Sequence, residues 1–368
     1  MGGYGVAIFF VLSGFLLSRP FWKAWDAGEG MPSLRVYFLR RVARIGPGFW
    51  LVLTLSLLFG WLFLDAPMNI GIFARYLAGL TFVGDLHWFT MFPVDINGPL
   101  WSIGFEVSSY IIMPIGFLAL FALPIRSLPR VVVRILWVGV ILAAIAVHWL
   151  YVQMVGFGRE LTFDDLNATP FWHTLLGEYW FPQYNPIGFF AIFAIGALAG
   201  GVQVLLARYR SFWFDAGFAA ALVWGGYMLW TNTEDTFDGI FHLPFKMYPE
   251  LPVLVGAALA FGTSTKFLAR ALELRFIQYF ARISFGVYLW HFLFIDLVRR
   301  FAFPEFVRLP ITDRVADPGL LLSAFGLVLA LTLLTAAASW RWLEEPAIRW
   351  AQRFEGKLLA PRLQAAAA

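Results

Sequence analysis

Apolar runs of roughly 20 residues recur along this chain, and that is the length an α-helix needs to cross a bilayer core. They fall near 4–18, 47–64, 100–122, 130–150, 186–206, 213–231, 249–264, 276–298 and 319–340, about nine spans by that criterion. Lipid offers no hydrogen-bond partners to the backbone, so such segments must satisfy their own polar groups as helices. The expected fold class is therefore all-α, a polytopic transmembrane helix bundle. One integral membrane domain is expected over 1–350, with a cytoplasmic tail over 351–368. Residues 70–84 are apolar but short and carry Arg75, which predicts a re-entrant or interfacial helix. Hydrophobic residues make up 60% of the chain and charged ones 14%, against about half and a quarter in soluble domains. There is no cysteine, which removes disulfides, thiolate nucleophiles and thiolate metal sites from consideration.

The first apolar run, Val6 to Leu17, is interrupted by Ser13-Gly14, and Arg19-Pro20 is expected to end it. A signal peptide would need a basic leading region and a small-residue cleavage site, and neither is seen. A small polar pair inside the run predicts a helix that packs closely on its neighbours and lines a cavity. Lysine and arginine set the expected orientation. An alternating path gathers 20 of the 27 basic residues on one side, which is then cytoplasmic, with the N-terminus outside and the C-terminus inside. Arg299-Arg300 is the local exception, on the outer side. The basic loop 19–46 should contain a short amphipathic helix from Ser33 to Arg44, with Leu34, Phe38 and Val42 on its apolar face. It reads either as a positive-inside anchor or as a site for a polyanion such as the phosphates of coenzyme A. The acidic, aromatic outer loop 151–185 either closes over a cavity or caps the bundle.

Polar residues inside spans are costly and mark candidate sites. Glu106 follows Asn97-Gly98-Pro99-Leu100-Trp101-Ser102, where Asn97 and Pro99 signal a helix start and Ser102 and Glu106 share a face. A carboxylate there must be paired or protonated, and structural pairing and catalysis both remain open. Arg40, Arg41 and Arg44 precede Pro47, expected in the first turn of the next helix. His291 lies in Ser284-Phe285-Gly286-Val287-Tyr288-Leu289-Trp290-His291 and can exchange a proton near neutral pH; a packing role is the plainer reading. Trp340 to Pro346 reads mainly as an interfacial anchor. The chain has no GxSxG elbow, Walker loop, HExxH or DxD pair, which weakens hydrolase, pump and metal-dependent glycosyltransferase readings.

Together these motifs resemble a known family. GYGVAIFFVLSGFLLSRP is similar to the GVDLFFVLSGFLI segment of the acyltransferase-3 family of membrane acyltransferases, with Ala7 at the position of its acid. RRVARIGPGFW resembles the R-x-x-R-I-x-P element, PLWSIGFEVSSY the PLWSLxxExxxY element, SFGVYLWHF the SYxxYLxH element, and WRWLEEPAIRW the closing R-x-x-E-x-P. The five occur in the family's order over nearly the whole chain. The resemblance implies transfer of an acyl group, often acetyl, from acyl-CoA to a hydroxyl of a carbohydrate, cell-envelope polymer or secondary metabolite. It also implies a multi-pass protein of the bacterial inner membrane, with no metal and no nucleic-acid partner. Carried over by residue, Arg41 and Arg44 fall in its arginine motif, Glu106 on its glutamate and His291 on its late histidine. On this reading Arg40, Arg41 and Arg44 hold CoA phosphates, while Glu106 and His291, with Ser102 beside Glu106, position groups or relay protons. The family's first helix carries an arginine and then a histidine that serves as base. No histidine precedes His87 here, so the expectation is a start placed too late or a short, impaired form. A transporter or flippase is the rival from another class.

Overall fold

In the computed structural model the described residues are 2–64, 68–155, 183–231, 249–268, 273–304 and 317–367. They are helical and contain no strand. The helices are α1 (Gly2–Asp26), α2 (Leu34–Phe63), α3 (Ile70–Leu80), α4 (Trp101–Ala122), α5 (Arg130–Val155), α6 (Pro186–Leu206), α7 (Phe212–Thr231), α8 (Glu250–Gly262), α9 (Arg275–Leu297), α10 (Pro318–Ser339) and α11 (Glu345–Ala367). Among the described residues, seven helical segments are long and apolar enough to cross a membrane. They correspond to α1, α2, α4, α5, α6, α9 and the continuous run from α10 into α11. The runs at 213–231 and 249–264 are the helices α7 and α8, of 20 and 13 residues, outside those seven. The apolar stretch at 70–84 gives the short helix α3, as expected. The outer loop expected at 151–185 lies mostly outside the described residues.

Two boundaries differ from expectation, both at proline. α1 does not end at Arg19-Pro20 but runs to Asp26 with Pro20 inside it. Proline removes one backbone bond, but the residues beyond it are strongly held: Phe21 and Trp22 are buried and the Trp22 indole donates to Ala197 O at 2.8 Å. The amphipathic segment and the next span are likewise one 30-residue helix, α2, with Pro47 in its interior rather than its first turn. Phe49, Val52 and Leu53, fully buried just beyond Pro47, anchor the continuation. Tertiary packing overrides the local stop signal in both places.

The chain divides into two compact units. The first comprises Met1–Pro32, Phe82–Met91 and Ser102–Leu274. Its centre is α1 against α6, which approach so closely that a Cβ at Gly14 would overlap the carbonyl oxygen of Phe193, and one at Gly196 that of Val11. A Cβ at Gly200 would press on Ser18, whose hydroxyl donates to Ala197 O at 3.1 Å. Small residues at such a contact let backbones meet and gain dispersion energy that lipid-facing surfaces cannot. At one end of this unit Arg134 forms two 2.7 Å bonds to the Asp26 carboxylate and stacks on Trp22. Asp215 accepts three backbone N–H bonds from Lys266, Phe267 and Leu268, fixing the turn after α8.

The second unit comprises Ser33–Thr81, Phe92–Trp101 and Arg275–Ala368. Here α3 lies on α2 through Trp50 Nε1 to Leu80 O at 3.0 Å and a Thr54–Tyr76 hydroxyl contact at 2.9 Å. The charge that marked α3 as unusual is neutralised, since Arg75 is buried and bonds Asp95 at 2.7 Å. Arg299 and Arg300, just past the end of α9, both bond Asp296, which offsets part of their charge.

Candidate active site

Glu106 is 1% exposed, in the first unit on α4. Its Oε1 accepts from the Ser13 hydroxyl at 2.9 Å and from the Tyr110 hydroxyl in a short bond. The Ser13-Gly14 interruption of α1 thus has two jobs: Gly14 admits α6, and Ser13 reaches the buried carboxylate. Two hydroxyl donors replace part of the hydration that burial removed, which is what a buried carboxyl requires. Ser102 is buried one turn earlier on the same helix, as its spacing predicted. Ser102 shares a helix face with Glu106, but the hydroxyls bonded to the carboxylate are those of Ser13 and Tyr110.

Close by on α4, Ser108 donates to Asp85 at 2.5 Å. Gly104 lets Asp85 in, because a Cβ there would lie 3.0 Å from Asp85 Oδ1. Asp85 lies in the connection between α3 and α4, and burial pushes its carboxyl pKa up despite the serine bond. A raised folded pKa means the folded state binds the proton more tightly. Its contribution is therefore fully present below the unfolded value of about 4 and is lost as pH rises through the folded one. Asp85→Asn should then gain stability relative to wild type as pH rises from about 4 towards neutrality, measured as the difference in thermal midpoints in detergent. A difference that is flat with pH would contradict the burial account.

His291 and the three arginines fall in the second unit, so the residues singled out in the sequence divide between the two. His291 Nδ1 lies 2.6 Å from the carbonyl oxygen of Tyr288. A carbonyl can only accept, so Nδ1 carries a proton, and in the neutral imidazole the lone pair is then on Nε2. The helix is held at that level by the chain before α4: Tyr288 donates to Pro99 O at 2.7 Å, and buried Asn97 donates to Leu289 O at 3.1 Å and to Ser56 at 3.3 Å. Asn97 is a cross-link between segments and makes no side-chain cap for the helix it precedes.

The arginines have different surroundings. Arg40 makes a two-pronged bond to Glu355, at 3.0 and 2.6 Å, on an exposed surface. Arg44 bonds Glu344 at 3.1 Å, donates to Arg282 O at 3.1 Å, and lies over Trp340 with its guanidinium 4.9 Å from the ring centre. Glu344 has no exposed side-chain surface and also accepts from Ser339 at 3.2 Å. Two glycines make its room, since a Cβ at Gly48 or Gly286 would lie 3.6 or 3.3 Å from its Oε1. The Trp340–Glu344 turn is therefore more than an interfacial anchor: its glutamate is the partner of Arg44. Arg41 is part-buried, and its Nε has no partner among the described residues. Three of the sequence elements, RRVARIGPG, SFG and WRWLEE, thus build one ion-pair site in this unit.

A family model described as an acyltransferase domain matches residues 1–340. The chain belongs to that acyltransferase family. Among curated proteins it is similar to the peptidoglycan O-acetyltransferase OatA of Listeria monocytogenes serovar 1/2a, 22% identical over 94% of this chain and 51% of that protein. Proteins of Staphylococcus aureus strains COL and MSSA476, provisionally named O-acetyltransferases, are also 22% identical, over 94% of this chain and 52% of theirs. The chain spans about half the length of these relatives. No solved structure matches it.

Proposed function

We propose that this chain moves an acyl group, most simply acetyl, from acyl-CoA to a hydroxyl of a carbohydrate or other cell-envelope polymer. The observation that carries the reading is the family match over residues 1–340, joined to a buried carboxyl and a histidine with a defined tautomer. The relatives' names supply the acetyl group and the hydroxyl-bearing acceptor as the chemistry to test first. In the transfer, the acceptor oxygen attacks the thioester carbonyl, the new C–O bond forms, the C–S bond breaks and CoA leaves as the thiol. The hydroxyl proton needs an acceptor; we assign that role to His291 Nε2, which then hands the proton to the departing thiolate. Glu106, fixed by Ser13 and Tyr110, is assigned a positioning role. Arg41 and Arg40 are the residues we assign to the phosphates of CoA, a polyanion that guanidinium forks suit. Arg44 is placed by Glu344 and holds that end of α2.

Thioester consumption by the purified protein, with a soluble glycan as acceptor, tests the reading. His291→Gln should lower the transfer rate by about 10²–10⁴-fold, the usual worth of a general base, with the thermal midpoint unchanged. A wild-type rate in that variant would remove His291 from the mechanism.

A further inference from the structure

The first unit contains a hollow that the transfer chemistry does not use. Trp25, Asp26, Gly28, Glu29, Gly30, Arg126, Leu128 and Arg130 line a space of about 620 Å³ where α1 ends and α5 begins, within the size range of small-molecule sites. Arg126 lies against two aromatic rings that themselves meet edge to face, its guanidinium 4.5 Å from the Trp25 ring and 4.6 Å from the Phe121 ring. Ring contacts of this kind hold a guanidinium without using its N–H donors, which stay available to an acceptor. Arg126 makes no hydrogen bond or ion pair among the described residues. Arg130 contributes a second guanidinium, held by a 2.8 Å bond to Asp26 O. The Asp26 carboxylate on the wall is already satisfied by both 2.7 Å bonds from Arg134, so it does not compensate Arg126. α5 begins at Arg130, which turns the positive end of a 26-residue helix towards the same space. The backbone wraps the site through Gly28, whose φ of 71° is in the left-handed region that glycine tolerates. Glu29 is the one lining carboxylate without a bonded cation among the described residues.

We propose that this hollow binds a phosphate group, through the N–H donors of Arg126 and the guanidinium of Arg130. A phosphate offers several acceptor oxygens and more charge than a carboxylate, which suits two guanidinium groups beside a helix start. The group can come from an anionic lipid headgroup or from a soluble phosphate ester, and the two sources are separable. Purified protein in phosphatidylcholine nanodiscs would be titrated with inorganic phosphate and with adenosine 3′,5′-bisphosphate. In parallel, phosphatidylglycerol would be added to the discs, with the thermal midpoint as readout in both arms. A phosphate-dependent rise is expected in one arm or both, with half-saturation shifted at least tenfold in Arg126→Gln and towards tighter binding in Glu29→Gln. The Glu29→Gln gain guards against a variant that merely misfolds. An equal response in wild type and Arg126→Gln to both sources would overturn the proposal, as would an equal midpoint rise with sodium acetate at matched ionic strength.

Discussion

Arg44→Ala should be among the most damaging single substitutions in the chain. It leaves the Glu344 carboxyl buried beside the Ser339 hydroxyl, and it strips a stacked guanidinium from Trp340. Removing one partner of a buried pair costs roughly 3–5 kcal/mol, because the other charge must stay desolvated or take up a proton. Arg44 is one-quarter exposed, so the lower end of that range applies. Glu344→Gln should cost less, since the amide keeps the Ser339 contact and Arg44 retains Arg282 O and the tryptophan face. The double variant Arg44→Ala/Glu344→Gln should be more stable than the sum of the single effects predicts, because it leaves no buried charge. Thermal midpoints of the four proteins in detergent check this. Additive effects would mean that the pair is not coupled.

The second large effect is expected at the contact of α1 with α6. Gly196→Leu places a side chain where the Val11 carbonyl lies, and a backbone atom cannot move aside as a side chain can. The two helices would have to separate along their length, losing the Ser18 and Trp22 bonds to Ala197 O and with them the seating of Ser13 on Glu106. Loss of folded protein on size-exclusion chromatography is the expected outcome for Gly196→Leu, and for Gly14→Leu by the same reasoning. Gly5→Ala on the same α1 is the contrast. Nothing lies within 4 Å of the position its Cβ would take, so it should be neutral or stabilise by up to about 1 kcal/mol through helix propensity. A folded, monodisperse Gly196→Leu protein would show that the close approach is dispensable.

What the sequence made legible was set by the range of the signal. Apolar runs report a local property, so the helices emerged near their expected positions, and the short α3 was recognisable from length and Arg75. Helix ends were less legible, because Pro20 and Pro47 are stop signals only when packing does not overrule them. At the site, Glu106 and His291 stood out as polar groups in apolar runs. Tyr110 lies one turn from Glu106, but the long-range partners did not stand out, since Ser13 is 93 residues from Glu106 in sequence and Arg44 is 300 from Glu344. Spacing can propose Ser102 beside Glu106 on one helix but cannot propose a partner on another. The close approach of α6 does leave a local trace: Gly196 and Gly200 are four apart within an apolar run, the small-xxx-small pattern of tight helix contact. Glu344 was hidden for a different reason, as a glutamate beside Arg341 and Glu345 reads as interfacial charge until its burial is seen.

The central claim is transfer of an acyl group from acyl-CoA to a hydroxyl. Its most direct test incubates the purified protein with acetyl-CoA labelled in the acetyl group and a soluble glycan acceptor, and counts released thiol against ester formed. The account predicts one ester for each thiol, dependent on the acceptor and lost in His291→Gln. Acceptor-dependent movement of glycan across the membrane with no thiol released would contradict it and make the protein a transporter.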